Sequence, residues 1–157
     1  NNDYGKGLGV TRGNFVAWLI VNVSRIPILG ETFMRLRLPL IEKLILQGGV
    51  SRPDALTGGF LQQVWDSGVR KGHYQAFINL IRNGATWEAA RTVYGKIKVP
   101  VLLVYGASDW SRAGERQQDL VEIPGAKLET IKDGGHFLSL DQPCEVIRVI
   151  RQFAGVA

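Results

Sequence analysis

The stretch that most limits what this chain can become is "VPVLLVYG", residues 99–106. It is apolar without alternation, has the length of a strand and stops at Gly106. That is the pattern of a strand covered on both faces, as in parallel sheets. A second, weaker strand candidate follows, "AKLETIKDGG" at 126–135, stopped by two glycines. Between them "RAGERQQDLVEI" has helix-forming composition. After them "SLDQPCEVIRVIRQFA" starts with aspartate and proline and repeats Val146, Ile147, Ile150 and Phe153 at helical spacing. Strand, helix, strand, helix implies parallel pairing through a right-handed crossover, hence an α/β fold. Two parallel strands do not make an independent sheet, because they need neighbours at their edges and cover on both faces. The chain therefore reads as the end of an α/β fold, with the rest of the sheet expected on sequence outside it.

Residues 13–95 follow a different grammar. In "NFVAWLIVNVSRI", Phe15, Trp18, Leu19, Asn22 and Val23 recur at helical spacing, and Asn14 is placed to cap the start. Val16, Ala17, Ile20 and Val21 make the other face apolar too, so this helix needs cover on both sides, from protein or from a greasy ligand. A second helical stretch is expected over 31–47, broken or kinked at Pro39 and stopped by "QGG". A third is expected from "SRPDAL" onward, carrying Leu61, Val64, Trp65 and Val69. "HYQAFINLIRNG" and "TWEAARTVYG" read as two more short helices. The organisation expected is a lead-in loop at 1–12, a helical unit at 13–95 and an α/β unit at 96–157.

Charge and composition narrow the function classes. The formal charge is +5, but the basic residues form small scattered groups (Arg35 and Arg37, Arg70 and Lys71, Lys96 and Lys98) without interleaved aromatics. A solvated basic surface is expected, not a nucleic-acid platform. The longest apolar run, "FVAWLIV" at 15–21, is far too short for a bilayer span. Attachment to a membrane surface, suggested by Arg25, Arg35 and Arg37, is less favoured because these helices lack a clean polar face. Cys144 is the one cysteine, which rules out an internal disulfide or a cysteine-rich metal site and leans weakly to a reducing compartment. The chain opens "NNDYG" without methionine, so targeting is not legible. "YGKGLGVTRG" lacks the GK[ST] ending of a phosphate cradle and reads as a lead-in.

The chemistry-bearing pair is Asp109 and His136. Asp109 lies three residues beyond Gly106, at the carboxyl end of the first strand, and His136, in "DGGHF", lies at the same end of the second. Adjacent parallel strands bring those ends together, where open α/β sheets place their sites. An aspartate accepting from one imidazole nitrogen fixes the tautomer and stabilises the imidazolium, leaving the other nitrogen free to take a proton from a nucleophile.

"VPVLLVYGASDW" followed by "DGGHFLSLDQPCEVIRVIRQF" resembles the C-terminal part of the α/β-hydrolase fold superfamily. In that family the acid follows the penultimate strand and the histidine the last, before a closing helix. The resemblance covers 96–157; the helical stretch 13–95 resembles the family's cap by position only. Carried over, Asp109 is the triad acid and His136 the triad base. Trp110, Phe137 and Trp18 are the candidates for contacting substrate. The resemblance implies no cofactor and no metal. One departure is serious. The family's nucleophile sits earlier in the chain on a strained G-x-S-x-G turn, and no such turn occurs here; the oxyanion-hole loop would also lie upstream. The expectation is a C-terminal portion whose partner is the nucleophile-bearing part of the same fold.

Other residues are weaker candidates for the nucleophile. Cys144 stands in the first turn of the closing helix, where apolar packing is the usual role. Ser108 and Ser111 flank the aspartate and are expected to support its loop. Ser139 is too close along the chain to His136, and His73 reads as a partly exposed helix residue. Asp141 reads as a helix cap. The function expected is hydrolysis of an ester or related acyl substrate with a hydrophobic group, the cap residues Trp18, Leu19, Ile20, Phe33, Leu44 and Leu46 forming an apolar wall. An aspartate nucleophile, as in epoxide hydrolases and haloalkane dehalogenases, a lyase, and a non-catalytic binding protein of the same fold are the alternatives.

Overall fold

A computed structural model of the chain describes residues 9–36 and 38–156. Most of the expected lead-in loop, residues 1–8, and Arg37 lie outside the described residues. The chain divides into two compact units. Among the described residues, one comprises 9–36, 38–48 and 56–89, the other 49–55 and 90–156. The α/β unit thus recruits a short segment, 49–55, from the middle of the expected helical stretch.

The helical unit begins with a 3-10 turn, Gly9–Arg12, and α1, Phe15–Ser24. Asn14 caps α1 as its spacing predicts, its Oδ1 accepting from the Ala17 N–H at 2.9 Å. Its Nδ2 donates to the Leu44 carbonyl at 2.6 Å, so the cap also ties α1 to a later helix. Ala17, Ile20, Val21 and Ser24 are buried, whereas Phe15 and Trp18 are exposed and stacked on each other at 5.8 Å. Only one of α1's two apolar faces is covered within this unit.

Pro39 does not kink a helix but starts one. α2 is Leu29–Leu36 and α3 is Pro39–Gln47, with the proline in the first turn, where its missing N–H costs nothing. α1 and α2 approach closely at Gly30, where an added Cβ would lie 2.7 Å from the Ser24 carbonyl carbon. The third helix starts later than "SRPDAL" predicts. Pro53–Ala55 forms a single 3-10 turn, and α4, Gly58–Gly68, is capped by Thr57, whose Oγ1 accepts from the Phe60 N–H at 3.2 Å. α5 is His73–Arg82, and α6, Gly84–Ala89, runs into a 3-10 stretch, Ala90–Lys96.

In the α/β unit β1, Leu102–Gly106, pairs in parallel with β2, Lys127–Ile131, with Leu102 opposite Lys127 and Gly106 opposite Ile131. α7, Ala113–Glu122, makes the crossover. A short α8, Leu138–Asp141, leads into α9, Pro143–Ala154, which ends at the left-handed Gly155. Ile123, Ile131 and Val149 are buried. The sequence predicts burial of β1 on both faces, but Leu102 to Tyr105 are only half-buried. Among the described residues β2 is its one partner strand. An open groove of about 600 Å³ runs past Leu102, Val104, Val146, Ile150 and Phe153.

Two expectations need correction here. Cys144 is exposed in the first turn of α9 rather than packed. Asp141 does not cap α9. It is 1% exposed, and its carboxylate accepts three backbone N–H groups, from Gly135 (2.7 Å), Ser51 (2.9 Å) and Arg52 (3.0 Å).

Candidate active site

The site is built where β1 and β2 end. Beyond Gly106 the chain turns back tightly, with the Asp109 N–H donating to the Gly106 carbonyl at 3.1 Å. Ala107 donates to the Ile131 carbonyl and Ser108 to the Gly134 carbonyl, each at 2.9 Å, so the acid loop is stitched to the segment that delivers His136. Asp109 Oδ2 stands 3.0 Å from His136 Nδ1. The Asp109 side chain is 6% exposed and that of His136 24%.

Burial alone would raise the Asp109 pKa, since a carboxylate loses hydration there. Hydrogen bonds from His136 and from the Ser111 N–H, the latter at 2.6 Å, outweigh that and bring it down to about 2. Asp109 is therefore ionised at neutral pH and can only accept. The proton on the neutral imidazole must then sit on Nδ1, which leaves the Nε2 lone pair as the basic position. Nε2 is engaged by no described residue.

The imidazole plane is held as well as its hydrogen bond. Trp110, buried beneath the loop, stacks on His136 with ring centroids 3.8 Å apart and planes 15° from parallel. Phe137 meets both rings edge-on, 5.7 Å from Trp110 and 5.4 Å from His136. Trp110 and Phe137 come together around the imidazole, and Gly49 leaves them room, since a Cβ there would lie 2.6 Å from Phe137 Cδ2. Trp18 belongs to the helical unit, on α1, and is 47% exposed.

Beneath the acid loop Arg116 is 7% exposed, with every guanidinium nitrogen employed. Nε donates to Ser111 Oγ (2.8 Å), Nη1 to the Gly106 carbonyl (3.1 Å) and Nη2 to the Ser111 carbonyl (2.8 Å). Its guanidinium carbon also lies 5.4 Å from the Tyr105 ring. Ser111 thus supports the aspartate both directly and through Arg116. Sequence reasoning missed Arg116, Asp141 and the 49–52 segment. An arginine in the first turn of α7 was the available signal, since a basic residue there opposes the helix dipole and needs another reason to be present. His73, the first residue of α5, is exposed. Among the described residues no group of three or more His, Cys, Asp or Glu is arranged to hold a metal ion, and no helix is long and apolar enough to cross a membrane.

A helical unit and a parallel strand pair, with an Asp–His contact at the strand tips, make an α/β arrangement. Among solved structures the chain is similar to wild-type Cfl2 from Burkholderia cenocepacia, with 21% identity and a TM-score of 0.72, over 88% of this chain and 48% of that one. It is also similar to Est816, described as an N-acyl homoserine lactone degrading enzyme, with 22% identity and a TM-score of 0.51, over 94% of this chain and 54% of that one. At these identities the likeness is one of fold, and the chain spans about half the length of each. No family model matches the sequence. No curated protein matches it either.

Proposed function

We propose that the chain is the acid- and histidine-bearing C-terminal part of an α/β hydrolase, with 1–12 leading into a cap at 13–95 and 96–157 ending the core. Asp109 orients and charges the pair, and His136 is the general base. The nucleophile comes from sequence outside this chain, which would also supply the strands that β1 lacks and the oxyanion hole. The single observation that carries this reading is the 3.0 Å contact between an ionised, buried Asp109 and His136 Nδ1, with Nε2 left free.

In the reaction His136 Nε2 takes the proton of the nucleophile as it attacks the acyl carbon. The imidazolium so formed is stabilised by Asp109 and gives that proton to the leaving alcohol as the acyl–oxygen bond breaks. Water then enters, His136 takes its proton, and the acid is released with the nucleophile restored. Trp110 and Phe137, beside the imidazole, favour a substrate with a hydrophobic acyl or alkyl group. Trp18 is the exposed aromatic candidate of the helical unit. The similarity to Est816 makes a lactone one member of this ester class worth assaying.

The test uses the chain together with the polypeptide that completes it, assayed on esters of increasing acyl length. His136→Ala should lower kcat/KM by about 100-fold or more, the usual worth of a positioned general base. Unchanged turnover of every ester by that variant would refute the catalytic reading and leave a binding protein of the same fold.

A further inference from the structure

We propose that Asp141 is a positioning residue for His136, an inference that rests on reading His136 as the base. A fully buried carboxylate is costly unless its oxygens are satisfied. Here both are, and the donors come from separate parts of the chain. Oδ2 accepts from Gly135, the residue immediately before His136, and from Ser51; Oδ1 accepts from Arg52. The segment 49–52 returns the tie on the other side of the histidine, where the Phe137 N–H donates to the Gly49 carbonyl at 2.8 Å. The backbone of His136 is therefore gripped at both neighbours, one by Asp141 directly and one through the segment that Asp141 holds.

Three N–H groups aimed at one carboxylate form charge-assisted hydrogen bonds, stronger and more directional than neutral ones. A helix cap would need only the N–H groups of the helix that follows. None of the three donors lies in α9. Asparagine is no substitute, because in either amide orientation its NH₂ group faces at least one backbone N–H. The role follows from reach: a triad histidine must keep Nδ1 on its acid while Nε2 stays open, and the loop "DGGHF" has two glycines with little stiffness of their own. The stiffness is supplied by Asp141.

Proton exchange at His136 Nδ1 with water, followed by NMR of the ¹⁵N-labelled chain bound to the polypeptide that completes it and assigned with a His73→Gln variant, reads this role directly. Asp141→Ala should accelerate that exchange roughly tenfold or more relative to the β1 amides, as expected for losing a charge-assisted hydrogen bond at the adjoining residue. A merely structural carboxylate would accelerate both in step. Should Asp141→Ala not fold, Asp141→Asn decides, with a smaller change in the same direction. A folded variant whose Nδ1–H exchange only tracks the β1 amides overturns the proposal. The measurement needs no turnover, so failure of the ester assay and failure of this inference remain distinguishable.

Discussion

Gly135, the residue before His136, leaves no room for a side chain, and Gly135→Ala tests that demand. The residue has no positive φ, so conformational freedom is not the reason for glycine. Space is. A Cβ there would lie 2.6 Å from the Gly49 carbonyl oxygen and 3.0 Å from both Asp141 Oδ2 and the Ser51 nitrogen. Reaching the 3.4 Å at which contact becomes ordinary requires the Gly49 carbonyl to retreat by about 0.8 Å. That carbonyl is the acceptor for Phe137, and Ser51 is bonded to Asp141, so retreat weakens two ties at once. Overpacking of this kind costs about 1–3 kcal/mol. Displacement of His136 by a similar distance would lower activity by up to roughly 100-fold. Urea unfolding followed by tryptophan fluorescence measures the first figure. Gly114→Ala is the control, since a Cβ there meets nothing within 4 Å on α7 of the same unit. That control should leave stability unchanged or raise it by about 0.5–1 kcal/mol. If Gly135→Ala unfolds at the same urea concentration as Gly114→Ala, the tight packing around the histidine loop is wrong.

Two further outcomes follow from the acid loop. Asp109 carries a pKa of about 2 in the folded chain against its ordinary 3.8, so its share of stability is present above pH 3.8 and is lost as pH falls through 2. The buried side chain makes this worth roughly 2 kcal/mol, and Asp109→Asn should flatten that part of an acid unfolding profile; an unaltered profile would refute the assignment. Arg116→Lys keeps the charge but cannot reproduce three donors in a fixed fork, so at least one of the bonds to the Ser111 hydroxyl, the Ser111 carbonyl and the Gly106 carbonyl is lost. It should cost about 1–3 kcal/mol in the same unfolding assay, and a loss no larger than that of an exposed control such as Arg148→Lys would show that the fork is dispensable.

What was legible in the sequence was what local rules govern. A continuous apolar run ending at Gly106, and glycines before His136, place two strand tips side by side, and their side chains meet there because parallel neighbours end together. Asn14 caps α1 because capping is decided within three residues. Asp141 was misread for the same reason. Near a proline and a helix it looks like a cap, but two of its three donors lie 90 and 89 residues away in the chain, at a distance no periodicity encodes. Arg116 was overlooked because its misfit with the α7 dipole is a faint signal, and the carbonyls that hold it are brought together only by the fold. The half-exposure of β1 reverses the usual inference: its composition describes a strand with neighbours on both sides, and the described chain provides one.

That second rim of β1 has a practical side. Strand edges are templates on which other backbones assemble, and β1, whose one partner strand among the described residues is β2, is short, apolar and without a charged residue from Leu102 to Tyr105. The net positive charge of the chain is carried elsewhere and offers it no guard. On the reading proposed above, the strand that completes this ladder would keep the polypeptide from self-association as well as restore its activity.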